Sequence, residues 1–527
     1  MSERLGIVVS GSLNKGVEVR LDSSASVEEM AVGRYVTIEG EKQRFFGMIT
    51  DVSLGVIDQK LTITPPDVSD PFMAEVLAGT STYGTLHVLP MLTIGGEVAS
   101  LIEGPQPVKT VPSHFSVVKL ASQRDVELVF GSEDEKKFYI GTPLDMETKV
   151  CLDLEELVKR SNGIFGKSGT GKTFLTRLLL IGMLQKGTAV NLVFDMHSEY
   201  GWEGRSEEGR KVKALKQLFP SKVAVFTLDE ESSRRRGVTT DGVVRIGYDE
   251  IEPEDVGLLR QTLNLTELAV EAVYQLSRRF GKNWLQSTLD LRDTEELPEG
   301  LNIHESTLHN LRRGLETVRR LPFIEPHAPT SAVDYILNKL DQGENVVLEF
   351  GRYTDITAYI LVANLLTRRI HAKYRDRTEK AMGEDAIPPR QLVITIEEAH
   401  RFLNPEVASQ TIFGTIAREM RKYNVTLLVI DQRPSGIDSE VMSQIGTKIT
   451  CLLDNDRDID SVLAGVSGKS ELKSVLSRLE SKQQALIFGH AVPMPAPIRI
   501  REYGSAQSYK DFIPDENIEK DIEELWG

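Results

Sequence analysis

One eight-residue stretch constrains this chain more than any other. Gly166-Lys167-Ser168-Gly169-Thr170-Gly171-Lys172-Thr173 fits the spacing G-x-x-x-x-G-K-[ST] without a gap. Glycines at 166, 169 and 171 let the backbone curl until successive N–H groups point inward, a geometry that cradles phosphate oxygens. Lys172 is then placed to reach the β- and γ-phosphates, and the Thr173 hydroxyl to ligate Mg²⁺. The flanks agree with this reading. A short β-rich run, Gly163-Ile164-Phe165, precedes the loop, and an apolar helix, Phe174 to Leu184, follows it with its N-terminal dipole toward the phosphates. Residues 166 to 173 are therefore the candidate ATP contacts.

Such a loop needs a strand before it and a helix after it, so the chain must contain an α/β core. Near-continuous apolar runs occur at 190–194, 223–226, 345–350, 392–396, 426–430 and 485–488, separated by helical stretches. Runs of that kind indicate a parallel sheet covered on both faces. Between about 251 and 340 the strands stop, and leucines such as Leu258, Leu259, Leu263, Leu308, Leu311 and Leu315 recur at helical spacings. This stretch reads as a helical insertion. The first hundred residues differ again. Short β-rich runs at 6–10, 18–21, 35–38, 45–49, 61–64 and 86–89 are separated by Gly, Asn, Asp and Ser, as a small barrel requires. A proline-bearing stretch, 104–112, reads as a domain edge. The expected organisation is a barrel over 1–110, an α/β ATPase core over 111–504 with its insertion, and an acidic amphipathic tail over 505–527.

Two further strand ends carry chemistry. Leu392-Val393-Ile394-Thr395-Ile396 runs into Glu397-Glu398-Ala399-His400, the Walker B arrangement of apolar strand and paired acids. Glu397 would hold the hydration shell of Mg²⁺, and Glu398 would polarise the attacking water. Gln432, after the strand ending at Asp431, can sense the γ-phosphate or simply end a strand in a turn. Asp195 and Glu199 fit either an assisting role at Mg²⁺ or a structural one, and His400 fits a structural hydrogen bond better than a zinc ligand.

Composition sets the partners. The 527 residues hold 62 Lys plus Arg against 78 Asp plus Glu, a net charge of −16. An acidic chain lacks the global positive field of a DNA-coating protein, so any nucleic-acid contact must be local, in a groove or pore. Arg234-Arg235-Arg236 and the Arg312-Arg313, Arg319-Arg320 pairs are local basic clusters, readable as DNA contacts or as solvated faces. With Cys151 and Cys451 as the two cysteines and no CxxC, neither a disulfide framework nor a zinc ribbon is available. The N-terminus has no secretory h-region, and the longest apolar run, 178–184, is far short of the ~18 residues a membrane span needs. A cytoplasmic protein with no membrane partner is expected.

Taken together, the phosphate loop, Phe194-Asp195-Met196-His197-Ser198-Glu199-Tyr200, the Glu-Glu-Ala-His box, Ile416-Ala417-Arg418-Glu419-Met420-Arg421-Lys422 and Gln432-Arg433-Pro434 resemble the HerA family of the wider HerA/FtsK group. Ser198 stands where the commoner form, Asp-x-His-Gly-Glu-Tyr, has Gly. The β-rich first hundred residues are similar to the family's N-terminal barrel (HAS barrel). The resemblance implies a RecA-like motor, a homo-hexameric ring around double-stranded DNA that passes through a central pore. It also implies an effector, such as a NurA-like nuclease or another enzyme, acting in DNA end processing or anti-phage defence. The barrel is the expected docking end for that effector. By position, Arg160 and Arg421 match the arginines that such rings present to a neighbour's ATP. A trans arginine also makes physical sense, because positive charge at the γ-phosphate is worth roughly 10³ to 10⁵ in rate. The alternatives of other kinds are a ring scaffold that binds ATP mainly to assemble an effector, and a secretion or conjugation motor.

Overall fold

Alternation of apolar and polar residues builds the N-terminal part. β1 (Arg4–Ser12), β2 (Gly16–Leu21), β3 (Tyr35–Glu39), β4 (Arg44–Val56), β5 (Thr82–Ile94), β6 (Gln106–Pro107) and β7 (Val117–Leu120) pair antiparallel throughout. Six of them, in the order β2-β1-β7-β3-β4-β5, close into a barrel through a β2–β5 pairing, and β6 adds to β5. Inward residues including Val8, Val19, Val36, Ile38, Ile49, Leu86, Val88 and Val118 form its core. Closure removes the unpaired edges that would otherwise invite aggregation. The strand that fills the gap between β1 and β3 is β7, which lies beyond the barrel end expected at residue 110. The run at 61–64, expected to be extended, is a single helical turn, Lys60–Ile63. Asp58 accepts from the Lys60 N–H and the Thr62 hydroxyl donates to the Gln59 carbonyl, so local side-chain bonds favour the turn.

This computed structural model describes residues 4–513 apart from 65, 68, 71, 73–75, 78–80, 95–103, 206–210, 292–296, 298–299, 329, 354, 384–386, 409–410 and 420–421. The chain forms two compact units. The first comprises Met1–Leu157, Ile164–Lys172 and Gly446–Glu502, and the second Val158–Gly163, Thr173–Ile445 and Tyr503–Gly527. Besides the barrel, the first unit holds an antiparallel run of strands in the order Thr447–Thr450, Gln484–Gly489, Ala496–Ile500, Lys137–Pro143, Val150–Asp153.

The second unit is α/β. Its central strands run parallel in the order Val223–Thr227, Asn345–Glu349, Val190–Asp195, Leu392–Glu397, Val425–Asp431. They are buried along almost their whole length, as strands covered on both faces must be. The helix Lys172–Lys186 buries its residues from Leu175 to Leu184, which accounts for the apolar run there. Among its described residues the stretch 251–340 is mainly helical, with Glu267–Phe280 and Glu305–Arg319 its longest elements and one two-residue strand, Ile324–Glu325. Of the acidic tail, the helix Ala506–Phe512 is described and residues 514–527 lie outside the described part. Among the described residues no helix is long and apolar enough to cross a membrane.

Candidate functional site

The phosphate loop occupies the first unit. Gly166, Gly169 and Gly171 have φ of +156°, +78° and +91°, the last two in the region that favours glycine. A β-carbon on Gly166 would lie 2.8 Å from both the Cys451 Cβ and the Thr170 Oγ1, whereas the space beside Gly171 is open. The loop is pinned by its neighbours: Cys451 N–H donates to the Phe165 carbonyl at 2.8 Å and Lys167 N–H to the Leu452 carbonyl at 3.1 Å. The buried Thr170 hydroxyl donates to the Lys167 carbonyl at 2.8 Å. Lys172 Nζ donates to the carbonyls of Gly166 and Lys167, both at 2.7 Å, so its ammonium caps the curl of the loop. Lys167 Nζ is 3.0 Å from each carboxylate oxygen of Asp454, and Ser168 is exposed. Burial pushes the Cys451 thiol up to about 11, so it packs as an inert small residue. Thr173 follows as the second residue of the helix Lys172–Lys186.

The acidic residues occupy the second unit, at the carboxyl ends of adjacent parallel strands, where open α/β sheets bind ligands. Asp195, Glu349 and Glu397 end the strands Val190–Asp195, Asn345–Glu349 and Leu392–Glu397, the first of which lies between the other two. Asp195 is fully buried and accepts from the N–H groups of Glu199 and Tyr200, each at 2.8 Å, and of Gly201 at 3.3 Å. The turn that delivers those N–H groups passes through Ser198 at φ +56°. Serine here adopts the left-handed backbone that glycine takes freely. The Tyr200 hydroxyl, buried, donates to Glu397 Oε1 at 2.9 Å, and the Tyr359 hydroxyl bridges the Glu397 N–H and carbonyl at 3.0 and 3.1 Å. Glu397 Oε2 is buried and has no hydrogen-bond partner among the described residues. Burial, and then the charge of Asp195, push the Glu397 carboxyl up to about 8, while burial and the charge of Glu349 push Asp195 up to about 7. Arg236 is ion-paired to Glu349, whose carboxylate is fully buried.

Glu398 has φ +50°, an uncommon backbone for a non-glycine residue and one that clusters at functional sites. Its Oε1 accepts from Gln432 Nε2 at 3.1 Å, and its Oε2 lies 3.7 Å from His400 Nδ1. His400 is itself held by Asp431, through its backbone N–H at 2.6 Å and its ring Nδ1 at 2.9 Å. The hydrogen bond that its ring donates to the Asp431 carboxylate raises the His400 pKa above its ordinary value. His400 is thus a hydrogen-bonder, and among the described residues no group of His, Cys, Asp and Glu could hold a metal by itself.

Of the expected arginines, Arg160 sits half-buried in the turn before the strand Asn162–Phe165, its carbonyl accepting from Asn162 Nδ2 at 2.8 Å. Arg421 lies outside the described residues. Arg418 is engaged within its own chain, donating to the Ala408 carbonyl at 3.1 Å with Glu440 at 3.8 Å. The residues that sequence reasoning did not single out are Tyr359, Glu349 and Arg177, and Arg236, read there only as part of a basic cluster, is ion-paired to Glu349. A buried acid at the end of an apolar strand was the available signal for Glu349.

The strained turn yields a test. Ser198→Gly should leave stability within about 1 kcal/mol of wild type, since relief of the left-handed backbone offsets the extra freedom of the unfolded chain. Ser198→Val should destabilise by about 1–3 kcal/mol, because a β-branched residue resists positive φ. Urea unfolding midpoints measure both. Equal midpoints for the two variants would remove the left-handed turn from the description.

Known proteins share these features. A family model described as "Helicase HerA, central domain" matches residues 138–370, and one described as "HAS barrel domain" matches residues 5–99. The chain is 26% identical over 408 residues to the DNA double-strand break repair helicase HerA of Pyrococcus furiosus, covering 73% of this chain and 72% of that protein. It is 23% identical over 494 residues to the protein of the same name in Sulfolobus acidocaldarius, covering 92% and 91%. Among solved structures, the bacterial conjugative coupling protein TrwB (the TrwBdeltaN70 form) aligns over 73% of this chain and 93% of its own, with 12% identity and a TM-score of 0.47. A match to the HAS barrel domain ahead of a match to the HerA central domain, together with a phosphate loop and the paired acids Glu397 and Glu398, makes this chain similar to HerA helicases along most of its length.

Proposed function

We propose that this protein is an ATP-driven DNA translocase of the helicase type, working as a homo-hexameric ring on double-stranded DNA together with a nuclease or other effector enzyme. The observation that carries the reading is a strand-end acid, Glu397, whose buried Oε2 has no partner among the described residues, in a chain that also carries a curled phosphate loop capped by Lys172. A buried carboxylate oxygen left unpartnered is costly, and a hydrated cation would satisfy it. The loop fits a nucleotide as well: its glycines take positive φ, and a β-carbon built on Gly171 meets nothing within 4 Å, so the curled backbone is open beside Gly171. Residues 166–173 would hold ATP, and Thr173 and Glu397 would hold Mg²⁺, largely through water. When bound, Mg²⁺ supplies positive charge to the β- and γ-phosphate oxygens. Lys172 adds its charge to the same oxygens, Glu398 takes the proton of the attacking water, and Gln432 orients the Glu398 carboxylate through their hydrogen bond.

The names of the relatives, repair helicases, support action on DNA. Steady-state ATP hydrolysis with and without duplex DNA tests the reading. Turnover that rises several-fold with duplex DNA is expected, and ATP binding without turnover would instead favour the scaffold. The barrel is proposed as the effector-docking end.

Arg421 and Arg160 are proposed to complete a neighbour's site. Arg421→Ala should leave ATP binding and ring assembly nearly intact while kcat collapses, because its charge stabilises the transition state more than the ground state. Mixing Arg421→Ala subunits with Glu398→Gln subunits should restore part of the activity, since some interfaces then pair an intact Glu398 with an intact Arg421. No recovery in rings shown to exchange subunits would place Arg421 in its own subunit's site.

A further inference from the structure

Arg177 lies five residues beyond Lys172 on the helix after the phosphate loop and is 1% exposed. Burial of a guanidinium is expensive unless a carboxylate meets it. Among the described residues none does. Arg177 Nε donates to the Glu199 carbonyl at 2.9 Å, Nη2 donates to the same oxygen, and Nη1 has no hydrogen-bond partner among the described residues. The guanidinium carbon lies instead over the rings of Phe174 and Tyr503, 5.3 and 5.8 Å from their centroids. Packing alone does not call for this arrangement, since an apolar side chain would fill the site without stranding a charge.

The carbonyl that Arg177 grips belongs to the turn that presents Tyr200. The N–H groups of that turn go to Asp195, and its one gripped carbonyl goes to Arg177, so the turn is held from both sides. Tyr200 in turn reaches Glu397. We propose that Arg177 is a positioning residue for ATP hydrolysis, fixing the Glu199 carbonyl so that the Tyr200 hydroxyl holds the Glu397 carboxylate in one orientation. This rests on the ATPase reading above. Arg177 itself touches neither the nucleotide nor the water, and its effect passes through Glu199 and Tyr200.

The test is a double-mutant cycle on the full chain: Arg177→Met, Tyr200→Phe and the pair together, with Arg177→Lys as the conservative variant. Turnover is expressed per ATP-binding site, counted by titration with a non-hydrolysable ATP analogue, and thermal midpoints are recorded alongside. Each single variant should lower kcat about tenfold with analogue affinity within about threefold of wild type, and the pair should be no worse than either, since both break one chain of contacts. Arg177→Lys should recover part of kcat, because an ammonium can still donate once to the Glu199 carbonyl. Multiplying losses in the pair, or an Arg177→Met enzyme with wild-type kcat per site, would overturn the proposal. Should Arg177→Met fail to fold, Arg177→Lys decides alone: the proposal requires reduced kcat per site at an unchanged analogue affinity, and wild-type kcat rejects it. Wild-type protein without any turnover would instead sink the ATPase reading, so the two failures are distinct.

Discussion

Lys172→Ala abolishes ATP turnover, leaving less than a tenth of the wild-type rate. On the proposed function, the ammonium is the cation that the phosphate loop would bring to the β- and γ-phosphates. Each charge-assisted hydrogen bond to phosphate is worth about 1.5–3 kcal/mol, so loss of two predicts a fall of roughly 10² to 10⁴ in kcat/KM. The variant also removes the donor to the Gly166 and Lys167 carbonyls, so the loop loses its cap before any nucleotide arrives. A nucleotide-free thermal melt separates this structural cost from the chemical one. The first unit retains the Cys451–Phe165 and Lys167–Leu452 backbone bonds, so its fold should survive. Turnover above a tenth of wild type would withdraw Lys172 from the site.

Glu398→Gln has an effect of similar size by a different route. The amide keeps the shape of the carboxylate and still accepts from Gln432, so ATP affinity should stay within a few-fold of wild type. What is lost is the base. General-base catalysis contributes about 10² to 10⁴, so kcat should fall by that factor and ATP should accumulate on the protein. Single-turnover quenching after mixing with labelled ATP reads the trapped nucleotide directly. A variant that hydrolyses ATP at the wild-type rate would leave Glu398 only its place in the turn.

The parts of the site legible in the sequence are those whose chemistry is local in the chain. The phosphate loop announces itself by spacing, and Glu397 and Glu398 by their place after an apolar strand. What escaped depends on which strands become neighbours. Asp195 and Glu349 face each other in register only because Asn345–Glu349 and Val190–Asp195 are adjacent, an order that no run of residues reveals. The Tyr200–Glu397 bond spans 197 positions and the contact of Arg177 with Tyr503 a still longer loop of chain. The three consecutive arginines make the same point on a smaller scale. Residues on a helix are turned about 100° from one to the next, so identical neighbours have different fates. Arg234 and Arg235 pair with Glu230 and Glu231 on an exposed face, whereas Arg236 turns inward to buried Glu349. In the barrel, β7 is four residues long and follows the proline-bearing stretch, which is why the boundary was read too early.

The division of the chain has a consequence for its synthesis. The first unit opens at the N-terminus and is completed by Gly446–Glu502, with most of the second unit translated in between. The backbone partners of the phosphate loop, Cys451 and Leu452, are among those late residues. About 280 residues separate them from Lys172, so at about 5–20 residues per second the ribosome needs about 14–56 s to deliver them. During that interval the nascent chain carries the loop without the strand that pins it. On the proposed function, nucleotide affinity should therefore be acquired late, and a truncated translation product ending before residue 446 should be unable to compete with finished subunits for ATP.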